Sequence, residues 1–133
     1  MWFKIKSFLK FLVTSTNQHG VHSPFVFNLV TKCFYKKSTT TNSNKLKSIR
    51  NWLYSNNQLI KVQDFGAGSS IFKNNTRKVS KIAKVAGISQ KKAELLERMI
   101  AFFECENILE IGTSVGLATA SLSVGNPKAK ITT

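Results

Sequence analysis

Residues 2–14 repeat apolar positions at helical spacing. Ile5, Phe8, Leu9, Leu12 and Val13 form one stripe, and Lys4, Lys6 and Lys10 fall off it. The pattern predicts an amphipathic helix, too short and too charged to cross a bilayer. It has neither the uninterrupted apolar centre nor the cleavage site of a signal peptide. Such a helix either docks on its own protein or lies on a membrane surface; docking is the expectation, because most amphipathic helices bury their stripe internally. Gly20 breaks the pattern. Ser23 is then a good N-cap with Pro24 at the first helical position, which predicts an apolar helix over 24–36. The polar run from Ser38 to Asn44 reads as a loop. Leu46, Ile49 and Leu53 lie on one face of a helix over 44–55.

Two segments read as a strand entering a glycine turn. The first runs from Leu59 through Asp64, Gly66 and Gly68 to Ser69, with a strand over 60–63. The second runs from Asn107 through Glu110, Gly112 and Ser114 to Gly116, with a strand over 107–111. A ligand-binding turn of this kind needs a buried strand, a turn free of side chains, and a helix that starts at once so that its free N–H groups face the ligand. The second segment meets these needs. Val115 to Val124 is small and apolar and predicts a helix over 115–125, Gly125-Asn126-Pro127 stops it, and residues 129–133 open another strand. This is the start of a parallel β–α–β unit. The first segment has no such helix, so its DFGAGS is read as a second loop. The second pattern is Glu110-x-Gly112-x-x-x-Gly116, which has fewer glycines than the dinucleotide fingerprint and does not favour a dinucleotide.

Helices are also expected over 76–86 and 90–104, and together they offer a rival function. In residues 77–100, Gly87 would form the turn of a helix-turn-helix and Ser89 would cap the second helix. Gln90, Lys91 and Lys92 would face a DNA groove, with Arg77, Lys78, Lys81 and Lys84 on phosphates. Glu94 and Glu97 on the would-be recognition helix count against it, and it leaves the β–α–β unit unexplained.

Composition sharpens the picture. Hydrophobic residues make up 42% of the 133, enough for a core, so wholesale disorder is not expected. The net charge is +14, and no acid precedes Asp64. The basic first half is expected to bind nucleic acid weakly, without sequence preference and with steep salt dependence. Cys33 and Cys105 are far apart and make no metal-type spacing; they read as buried or half-buried thiols of a reducing compartment, hence a cytoplasmic location. His19 and His22 lack further ligands near them, so no metal site is expected.

The stretch ILEIGTSVGLATASL resembles the first motif of class I S-adenosylmethionine-dependent methyltransferases, particularly the O-methyltransferase-like bacterial branch. HGVHSPFVFNLV, DFGAGSS and KAELLERMIAFFE precede it in an order similar to a group of such proteins. The resemblance implies an α/β fold: a helical N-terminal portion followed by the start of a Rossmann-like sheet. It implies a helical cap region over 1–58, a loop and helices over 59–106, and an incomplete β–α–β portion of a cofactor-binding domain over 107–133. It also implies S-adenosylmethionine as cofactor. Glu110 would contact the cofactor's amino group, Gly112 would lie against its methionine part, Thr113 and Ser114 would supply backbone or hydroxyl contacts, and Gly116 would let the helix pack closely. The family's ribose-binding acid and later strands would fall beyond Thr133. The chain is therefore expected to be the N-terminal portion of a longer enzyme, with poor activity and a tendency to self-associate through uncovered apolar faces. Neither a catalytic base nor the methyl acceptor is assigned.

Overall fold

The computed structural model of the chain describes residues 2–15, 17–63, 72 and 74–133. The segment DFGAGS, expected as a second loop, lies outside them. The fold is mixed: helices with two small two-stranded sheets. It divides into two compact units, residues 1–36 and 37–133.

In the first unit, helix α1 spans Trp2–Thr14, and a single 3-10 turn follows at Gln18–Gly20. α1 forms where the pattern placed it, but none of its residues is buried, against the expectation of a docked helix. Helix α2 (Pro24–Asn28) starts as its cap signals require: the Ser23 hydroxyl accepts from the Val26 N–H at 3.4 Å, with Pro24 at the first position. The predicted helix over 24–36 does not continue in one form. Leu29–Phe34 is a π-helix, in which the Tyr35 N–H donates to the Val30 carbonyl at 2.9 Å, one residue further back than in an α-helix.

The second unit contains helix α3 (Thr40–Ser55), strands β1 (Leu59–Lys61) and β2 (Thr76–Lys78), helices α4 (Val79–Ala86) and α5 (Gln90–Phe103), strand β3 (Asn107–Leu109), helix α6 (Leu117–Gly125) and strand β4 (Lys130–Thr132). This unit begins at Lys37, and in it α3 packs with α4, α5 and α6. Two local expectations are corrected. The polar run 38–44 is not all loop: Thr39 caps α3 by accepting from the Asn42 N–H at 3.2 Å, and the next polar residues are used against α5. The Asn42 amide and Ser38 hydroxyl donate to the buried Glu97 carboxylate at 2.7 and 2.5 Å, and the Ser43 hydroxyl donates to Glu94 at 2.7 Å. A polar sequence can hold a helix when its partner helix presents carboxylates to it. The second correction is at 76–78. These residues form β2, antiparallel to β1 with Ile60 opposite Arg77, and the helix begins only at Val79.

The core is built where α3, α4 and the start of α6 meet. Leu53, Val79, Ala83 and Leu117 are buried together, with Ile49, Tyr54, Ile60, Ile88 and Val115 packed around them. Leu117, the first residue of α6, thereby ties the turn before it to the core. Gly87 permits this approach: a Cβ there would sit 2.2 Å from the Ala83 carbonyl oxygen and 2.5 Å from Leu117 Cδ1. Strands β3 and β4 pair in parallel, with Ile108 opposite Ile131, and are connected through α6, as the β–α–β reading expected. Among the described residues no helix is long and apolar enough to cross a membrane.

Candidate functional site

The site lies at the carboxyl ends of β3 and β4, the edge at which ligands bind in parallel sheets. The Glu110 N–H donates to the Thr132 carbonyl at 2.9 Å, extending the strand pairing by one bond beyond Leu109. The backbone of Glu110 is thus fixed by the neighbouring strand. Its side chain is fixed as well: Oε2 accepts from the Thr119 hydroxyl at 2.5 Å and from the Thr133 hydroxyl at 3.0 Å. The Thr133 hydroxyl also bonds to that of Thr113. Glu110, Thr113, Thr119 and Thr133 therefore form one polar cluster, drawn from the end of β3, the turn, the first helical turn of α6 and the end of β4.

Between Glu110 and α6 the chain uses three left-handed conformations. Gly112 has φ +95°, Ser114 +52° and Gly116 +77°. Glycine adopts these at no steric cost, whereas a serine there is uncommon. The Gly116 N–H donates back to the Thr113 carbonyl at 2.9 Å, closing the turn, and the Gly116 carbonyl accepts the Ala120 N–H at 2.9 Å as α6 begins. The first N–H groups of α6 have no carbonyl ahead of them within the helix. A Cβ built on Gly112 would meet nothing within 4 Å, so the backbone there borders open space.

All five residues expected at the site, Glu110, Gly112, Thr113, Ser114 and Gly116, belong to this turn. Thr119 and Thr133 were missed. Thr119 is three residues after Gly116 and so lies on the first helical turn, facing back to the strand end, a relation that helix geometry alone could have suggested. Thr133 reaches Glu110 only because β4 lies beside β3. A depression lined by Glu104, Glu106, Asn126 and Lys128 lies at the opposite end of β3 and holds none of the motif residues.

The region of the rival reading is two helices around the turn 87–89, with Ser89 accepting from the Lys92 N–H at 3.4 Å. Gln90 is turned inward. Its amide donates to Glu94 at 2.8 Å and accepts from Arg50 Nε at 3.2 Å. Lys91 and Lys92 are exposed. Arg77 and Lys81 lie over the Phe72 ring, and Lys84 over Tyr54. Cys33 is buried and Cys105 half-buried, and the two are not joined by a disulfide. Among the described residues no group of three His, Cys, Asp or Glu side chains could hold a metal ion. No protein family, characterised protein or solved structure matches the chain.

Proposed function

We propose that the turn from Glu110 to Gly116 binds the methionine end of S-adenosylmethionine and that the chain serves methyl transfer on a Rossmann-like α/β scaffold. One observation carries the reading: a carboxylate, held by two hydroxyls at the end of a parallel strand, stands beside a glycine whose Cβ direction is open. The donor set suits the ligand. Both hydroxyls meet Oε2 of Glu110, so Oε1 keeps its capacity to accept from an ammonium group. The bare backbone at Gly112 and the N–H groups at the start of α6, which have no carbonyl ahead of them within the helix, suit a carboxylate.

The cofactor supplies a sulfonium methyl that a nucleophile displaces in line. The residues on this chain orient it: Glu110 fixes the ammonium, Thr119 and Thr133 fix Glu110, and the turn sets how near the backbone comes. The methyl acceptor and the base are not assigned to residues of this chain. The alternative, a DNA-binding helix-turn-helix over 77–100, has less support, because Gln90 is engaged with Glu94 and Arg50 rather than presented outward.

Titration calorimetry with S-adenosylmethionine tests the reading by binding rather than turnover. Gly112→Val should abolish measurable binding, because its side chain would fill the open space and a valine is strained at φ +95°, so that the turn itself would shift. Glu110→Gln should weaken binding by about tenfold or more, the scale of one hydrogen bond between charged groups. Equal affinity for wild type and both variants, or preferential binding of a nicotinamide dinucleotide, would refute it.

A further inference from the structure

The function proposed above makes no use of α1, whose surface is unusual for a helix in a folded chain. Every large apolar side chain on it is exposed, and the least exposed, Ile5, still shows 47% of its surface. At about 100° per residue, Phe8, Leu12, Ile5, Leu9, Trp2 and Val13 fall in one continuous arc of about 140°. Lys4 and Lys6 border the two edges of that arc, and Lys10 lies about 40° beyond Lys6. Phe3 and Phe11 fall outside the arc, among the polar residues.

From these features we infer that α1 docks on the surface of an anionic lipid bilayer. The arc would sink into the boundary between headgroups and acyl chains, and the lysines would stay at headgroup level with their stems along the apolar surface. Charge selects the occupant. Residues 1–36 hold five lysines and no acid, so the surface around the apolar arc is of one sign. A second copy would bring like charge against like charge. Nucleic acid would satisfy the lysines but not the arc, because Ile5, Leu9, Leu12 and Val13 have no ring on which a base can stack. An anionic bilayer satisfies both sets at once. At 13 residues the helix is too short to span, so it lies in the interface.

The full chain carrying Trp52→Phe keeps Trp2 as its one tryptophan. Its emission is followed against vesicles of phosphatidylcholine alone and of phosphatidylcholine with about one-third phosphatidylserine, alongside flotation. The expected result is flotation with the anionic vesicles and a blue shift of Trp2, with little of either on the neutral ones. Replacing Lys4, Lys6 and Lys10 by Gln should weaken binding roughly a hundredfold, about fivefold for each lysine removed. Replacing the three by Arg should preserve it. Leu9→Glu should abolish the blue shift while leaving all three lysines in place. Because α1 buries no residue, none of these changes removes a buried contact. Equal binding to neutral vesicles, absence of binding, or retention of binding in the Gln variant would overturn the proposal. So would a blue shift without lipid that grows with protein concentration, which marks self-association. A shift produced by a single-stranded oligonucleotide but not by vesicles would assign the helix to nucleic acid instead.

Discussion

Gly125→Ala tests how closely α6 is held on α5, and two effects of opposite sign compete in it. Gly125 is the last residue of α6. Alanine is favoured over glycine in a helix by up to about 1 kcal/mol, and by less at a helix end. Against this, the added Cβ would lie 2.6 Å from the Glu97 carbonyl oxygen, 2.7 Å from Ile100 Cβ and 3.1 Å from Ile100 Cγ2. The first two belong to the backbone of α5 and to an atom fixed to it, so no rotamer change relieves them. The helices must separate, and overpacking of this kind costs about 1–3 kcal/mol. The cost exceeds the gain, and a net loss of about 1–2 kcal/mol is expected. For a unit of this size, each kcal/mol lowers Tm by about 4–8 °C. Thermal unfolding followed by circular dichroism reads this directly. Ser123→Ala, at an exposed position of the same helix, should raise Tm slightly through propensity alone. Ile100→Val keeps Cβ and Cγ2, so it should not rescue Gly125→Ala. A Tm for Gly125→Ala equal to or above wild type would show that α5 and α6 are not in this contact, and the placement of the turn ahead of α6 would fall with it.

The remaining expectations concern the core, the site and pH. Leu117→Ala should cost about 2–5 kcal/mol in chemical denaturation, as a buried leucine at the junction of α3, α4 and α6; a loss below about 1 kcal/mol would contradict its anchoring role. Thr119→Val should weaken S-adenosylmethionine binding in calorimetry while changing Tm little, because it removes a donor to Glu110 without emptying the core. The Glu94 carboxyl is held below its ordinary value of 4.5, first by the Ser43 hydroxyl and then by the Gln90 amide, with Lys47 and Arg98 adding to it against an opposing effect of burial. A carboxyl lowered on folding stabilises above its unfolded value, and that stability is lost as pH falls through the lowered native value. Ser43→Ala should therefore reduce the denaturation midpoint near neutrality and flatten its decline below about pH 4.5. An unchanged slope would remove Ser43 as the main cause.

Elements whose signals are local were legible in the residues alone. Apolar spacing set α1, Ser23 and Pro24 set the start of α2, and Ser89 set the start of α5. The alternation of short apolar strand, glycine turn and small-residue helix marked β3, α6 and β4 and drew attention to the turn from Glu110 to Gly116. Tertiary structure decided what depends on a partner distant in the chain. The start of α3 at Thr40 reads as loop in the sequence, because Asn42 and Ser43 gain their value only opposite Glu97 and Glu94. Thr76–Lys78 becomes a strand through pairing with Leu59–Lys61, which outweighs its place ahead of a helix. Thr133 enters the site because parallel pairing brings the end of β4 beside Glu110. Gly87 and Gly125, which look like turn and stop signals, are required where a neighbouring helix leaves no room for a Cβ. Local propensity acts over a few residues along the chain, whereas these choices rest on contacts between segments up to about 60 residues apart.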